Sequence, residues 1–309
     1  MMLANFFGKS KPVNFILILV LFILYYVLFL SKYDFDIIDK GLLTTVIGGF
    51  FLILLFFLLF NFIVVKNKLT RDNSYAFLFL VMSFGLLPNS IIEYEIVFVN
   101  LILLLFLRKV YSLRSPKAIF SKLFDSGLWL GVSFLFEPFT MVYFVLIYAG
   151  IFLFLKFTIR TILIPLLGLV TPLFLYFTYC FYTDQMLLFE HLFEFEMDIN
   201  LSFYKRTFYS LIFSLFGVVV MLSIAVRSSK IFSVSNRFKR SWTLLLFHLL
   251  LSVGFVSLLK THSGTELIAV VVPTTIIIAN WIESIAKKWF ADFVLLFFLV
   301  FTFAIHLIV

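Results

Sequence analysis

Apolar runs alternate with short charged clusters along the whole of this chain, and the runs predict helices. A short lead, Met1–Val13, carries Lys9 and Lys11 and precedes a run over Asn14–Leu30. A polar loop, Ser31–Lys40, holds Asp34, Asp36 and Asp39 before the run Leu42–Val65. Then come Tyr75–Leu87, stopping at Pro88-Asn89; Ile96–Leu107; Gly127–Phe136, stopping at Glu137-Pro138; Phe139–Leu155; and Thr161–Thr183. Asp184–Arg206 interrupts the series, which resumes with Thr207–Val226, Trp242–Leu259, Leu267–Ala286 and Phe290–Val309. Apolar runs of this length predict an all-α, polytopic transmembrane bundle, one membrane-embedded domain over residues 1–309.

Two runs decide how many times the chain crosses. Tyr75–Leu87 has 13 residues, about 20 Å of helix, and Gly127–Phe136 is shorter still; a hydrocarbon core is about 30 Å thick. Each is a half-helix turning back at its proline, giving eleven passes, or merges with its successor, giving nine. Charge arbitrates. With eleven passes and the lead inside, 19 of the 24 Lys/Arg lie on the cytoplasmic side and 12 of the 16 Asp/Glu outside. With nine, the five cations from Arg108 to Lys122 move outside. The excess of Lys and Arg on cytoplasmic loops favours eleven, with the C-terminus outside. The two breaks also match: Ser83-Phe84 precedes Pro88 by the spacing at which Ser133-Phe134 precedes Pro138. Duplicated broken helices line mid-membrane sites in transporters.

Composition agrees with this class. The chain is 63% hydrophobic and 13% charged, half the charge of an average soluble domain. Its net charge of +8 is then an orientation signal and not a nucleic-acid footprint. Cys180 is the one cysteine, which excludes a disulfide framework and a thiolate metal site. No small-residue cleavage site follows the first run, so that helix is expected to stay as an anchor. Four unpaired histidines argue against a histidine-rich iron or copper centre, and no Walker loop, GxSxG or HExxH occurs.

The candidate chemistry falls on the outer side. Asp34 and Asp36 could act as a general base or bind a divalent cation, the cofactor such oxygens would take. An outer loop cleared of cations is acidic in any case. Glu137 stands before Pro138 at the end of a short helix, where a carboxylate below the headgroups is costly and marks function, or else simply ends the helix. Glu190, Glu194 and Asp198 recur every four residues in Asp184–Arg206, opposite Leu188, Leu192 and Phe195; an interfacial helix on the outer leaflet fits both faces. Lys260 and His262 form an outer loop with a cation and an imidazole together, which suits a lipid phosphate or pyrophosphate, or is a plain hydrophilic turn.

Two resemblances bear on function. The opening MLANFFGKSKPVNFILILV is similar to a family of uncharacterised integral-membrane proteins of Bacteroidota. An aspartate loop after the first span, short helices paired across proline breaks, and the Lys260-x-His262 loop before a Pro-containing helix resemble the C-type glycosyltransferase superfamily. That resemblance implies transfer of sugars from polyprenyl-phosphate donors. Asp34 or Asp36 would then be the catalytic base or metal ligand, and Arg206, Lys260 and His262 would hold the donor phosphate. The superfamily places extra helices in its first outer loop; here that loop is some eleven residues. A small-solute or ion-coupled transporter with Glu137 as carrier, and a non-catalytic subunit docking other membrane proteins, are the alternatives.

Overall fold

The computed structural model describes residues 3–31, 40–91, 93–195, 203–204, 207–229, 235–259 and 262–308. All regular structure among them is helical: α1 Leu3–Phe7, α2 Pro12–Leu30, α3 Lys40–Lys66, α4 Tyr75–Gly85, α5 Tyr94–Ser112, α6 Ile119–Phe136, α7 Phe144–Phe154, α8 Ile159–Tyr182, α9 Met186–His191, α10 Thr207–Ser229, α11 Asn236–Leu258, α12 Ile268–Ser284 and α13 Lys288–Ile308. Among the described residues, six segments are long and apolar enough to cross a membrane: Pro12–Leu30, Thr44–Lys66, Ile119–Phe136, Ile159–Tyr182, Phe238–Leu258 and Thr265–Ser284. Tyr75–Gly85, Pro138–Phe154 and Ser214–Ser229 are shorter apolar helices.

The chain forms two compact units. Unit 1 comprises Met1–Val97, Lys205–Ser233 and Ser263–Val309. Its centre is α4, buried over its whole length, against α12, whose Ile276–Ile282 stretch is also buried. Eleven residues of α4 make only about 16 Å of helix, and lipid cannot satisfy the backbone of a helix end that lies in hydrocarbon. The protein does so instead. Tyr75 N donates to Asn73 Oδ1 and Ser74 N to the Phe7 carbonyl, while Leu86 N and Leu87 N turn back to the Ser83 and Phe84 carbonyls. α2 runs parallel to α4, Phe15 stacking on Phe77 and Tyr25 lying against Gly85. α12 runs antiparallel to α4: Asn280 and Glu283 meet Leu69 and Asn73, and the Thr265–Leu267 turn meets the Pro88–Ile91 turn.

Unit 2 comprises Phe98–Tyr204 and Val234–His262. Its tightest contact is between α6 and α8. A Cβ on Gly127 would fall 2.0 Å from the Pro165 carbonyl oxygen, one on Gly168 2.1 Å from that of Phe124, and one on Gly131 2.5 Å from that of Leu169. Small residues let helix backbones touch in this way, the usual basis of helix pairing in lipid. Pairing Gly127 with Pro165 and Gly131 with Leu169 makes the two helices parallel. α6 has 18 residues and starts at Ile119, so the run expected at Gly127 begins eight residues earlier in the structure. By its charge Lys122 belongs to a basic loop with Arg114 and Lys117. Inside the helix, Lys122 reaches back to the Ser112 and Ser115 carbonyls, and Asp125 pairs with Lys109 at 2.6 Å. Asp184–Arg206 departs as well: its helix α9 stops at His191, so Glu190 and Glu194 do not share a helical stripe, and Asp198 lies outside the described residues.

Candidate functional site

The acidic residues that the fold brings together are Glu93 and Glu266, in unit 1. The Pro88–Ile91 turn after α4 delivers Glu93, and the Thr265–Leu267 turn before α12 delivers Glu266. Gly264 stands between Ser263 and Thr265 at φ 94°, a left-handed conformation that a side chain would strain. Ser263 Oγ donates to Glu93 Oε2, and Thr265 Oγ1 donates to the same oxygen at 2.7 Å. Ser263 N donates to Glu266 Oε2 at 3.3 Å, and Ser263 Oγ lies 3.4 Å from that oxygen. Asn89 Nδ2 fixes the Ser263 carbonyl at 2.9 Å. Glu266 and Thr265 are fully buried, and Glu93 is half-buried.

Two carboxylates thus share one serine hydroxyl, which has a single proton to give. Carboxylates that meet at one hydroxyl favour a positive group beside them. The two carboxylates and the Ser263 and Thr265 hydroxyls supply oxygens, the donor type that hard cations prefer. Among the described residues no group of three or more His, Cys, Asp or Glu forms a metal cage.

A second charged group closes the other end of α12. Glu283 Oε1 accepts from Arg71 N at 2.8 Å and from Asn73 Nδ2 at 2.5 Å, with Arg71 Nε 3.9 Å from Oε2. Arg227 of α10 is buried there.

Of the residues expected to form the site, Asp34, Asp36, Arg206 and Lys260 lie outside the described residues. Glu137 and His262 both belong to unit 2 but have separate partners. Glu137 caps the Pro138–Tyr143 turn, its Oε1 accepting from Phe139 N at 3.3 Å. Burial pushes its carboxyl above the usual carboxylate range, against the opposing pull of that N–H. Phe195 packs on Phe139 beside it. His262 Nδ1 meets the Tyr204 hydroxyl at 3.2 Å, the rings 5.0 Å apart. His248, read as a solitary histidine, is buried in unit 2 with Nδ1 2.8 Å from the Tyr111 hydroxyl and Tyr143 beside its ring.

Nothing in the sequence pairs Glu93 with Glu266. They are 173 positions apart, and the available signal was structural: each follows a helix-breaking turn, one at Pro88 and one at Gly264. No known family model matches the chain, and neither a curated protein nor a solved structure is similar to it.

Proposed function

We propose that the protein is an ion-coupled carrier of small solutes in a bacterial inner membrane, crossing it eleven times with Lys9 and Lys11 inside and the end of α13 outside. The observation that carries the functional reading is the convergence of Glu93 and Glu266 on Ser263, between the turn that follows α4 and the turn that opens α12. A buried carboxylate pair at helix breaks is how carriers hold a coupling ion. The pair and its two hydroxyls would bind one small hard cation, with Glu266 as the buried anchor and Glu93 as its less buried partner.

The test is sodium itself. A site filled at a hundred times its Kd raises stability by about 2.7 kcal/mol. The purified protein should therefore unfold at a higher temperature in sodium chloride than in choline chloride of equal ionic strength. Proteoliposomes should also exchange radiolabelled sodium. Glu266→Gln should abolish both effects. A parent protein indifferent to sodium in both assays contradicts the reading.

Helix directions support eleven passes. Eleven helices of the described chain have eleven or more residues: α2 to α8 and α10 to α13. Alternate crossing makes α2 and α4 parallel, α4 and α12 antiparallel, and α6 and α8 parallel, which are the relations found within each unit. Were α6 and α7 one kinked span, α8 would run back against α6.

Sugar transfer from a polyprenyl-phosphate donor is the second reading, favoured by the Tyr204–His262 pair. An aromatic face beside an imidazole suits a sugar ring and its phosphate. Asp34 or Asp36 would deprotonate the acceptor, and Arg206, Lys260 and His262 would hold the donor. Asp36→Asn should then abolish transfer at unchanged protein abundance; unchanged transfer rules the reading out.

A further inference from the structure

Because α6 and α8 touch and run parallel, their first turns lie at the same end of unit 2. Apolar side chains are exposed at that end: Phe120 at 49%, Phe157 at 53% and Ile159 at 77%. Lys117, Lys156 and Arg160 are exposed among them. Two neighbouring cations are already engaged, Lys109 by Asp125 and Lys122 by the Ser112 and Ser115 carbonyls. The first turn of α8 is closed by its own Thr158–Thr161 capping box, so the three exposed cations are not needed there. Carboxylates are scarce around them: the sequence has no Asp or Glu from Ile96 to Phe124 or from Pro138 to Thr183.

We infer that this end of unit 2 docks anionic phospholipid headgroups, with Lys117, Lys156 and Arg160 meeting the phosphates while Phe120, Phe157 and Ile159 enter the acyl boundary. Interleaved cations and large apolar side chains match a layer that is negative above and apolar below. Neutral headgroups would use the apolar anchors and leave the charge unanswered. Each cation at an anionic surface contributes roughly fivefold in affinity, so the three together contribute about a hundredfold at low salt. The inference rests on the α6–α8 contact and on exposure, and it stands whether or not the protein is a carrier.

The experiment offers the purified full-length protein equal amounts of phosphatidylglycerol and phosphatidylcholine in detergent and counts retained lipid by native mass spectrometry. The parent should retain phosphatidylglycerol preferentially. Lys117→Gln, Lys156→Gln and Arg160→Gln together should lower the ratio at least tenfold, whereas Lys117→Arg, Lys156→Arg and Arg160→Lys together should keep it. Raising sodium chloride to about 0.5 M should also lower the parent's ratio, since screening shortens the reach of exposed charges. A parent without preference, a ratio unchanged by the glutamine substitutions, or a salt-insensitive ratio overturns the inference. If the glutamine protein does not fold, the salt series on the parent decides.

Discussion

Glu137 holds a backbone turn and titrates unusually. Its carboxylate caps the turn at Pro138, and burial raises its pKa above the ordinary value. In the unfolded chain the proton therefore leaves at lower pH than in the folded one. Stability falls as pH rises from the unfolded value to the folded one, and the cost of burying the charge is complete above the folded pKa. Glu137→Gln keeps an oxygen for Phe139 N and removes that charge. Its unfolding midpoint should exceed the parent's at neutral pH, with the two converging in acid; a constant gap across the pH series would contradict this. Tyr111 makes a different prediction. Tyr111→Phe leaves His248 Nδ1 without its buried partner and should cost about 1–3 kcal/mol in denaturant unfolding, whereas no change would show the contact to be weak. Charge density marked the outer acidic residues in the sequence. It did not mark which two would meet, because pairing Glu93 with Glu266 depends on α4 and α12 lying side by side.

The elements were legible where hydrophobic periodicity set them and less so where charges sat inside a helix. The proline breaks at Pro88 and Pro138 stand where the runs stop. The start of α6 was missed because Lys122 and Asp125 resemble a loop until their partners, Ser112, Ser115 and Lys109, are seen. Gly127 and Gly131 were visible at four-residue spacing, but a glycine reports close packing only once its neighbour is known. That contact can be tested directly. Gly127→Ala or Gly168→Ala puts a methyl group against backbone and should destabilise by about 1–3 kcal/mol or more. Gly217 and Gly254 face open space within 4 Å, so alanine there should be neutral or stabilise by up to about 1 kcal/mol. Equal effects at both pairs of sites would mean that α6 and α8 do not touch as described.

At the scale of the molecule, the central claim is that the chain turns back at both proline breaks and so crosses the membrane eleven times. Charge bias along the sequence pointed there, and the parallel contact of α6 with α8 supports it from an independent direction. The claim determines where Lys117 lies, because the nine-pass path carries the cations from Arg108 to Lys122 to the outer side. The most direct measurement is labelling of Lys117→Cys in a Cys180→Ala background by a membrane-impermeant thiol reagent. Intact cells and inside-out vesicles are compared. Labelling confined to the inside-out vesicles is the predicted result, and labelling in intact cells would contradict the eleven-pass account.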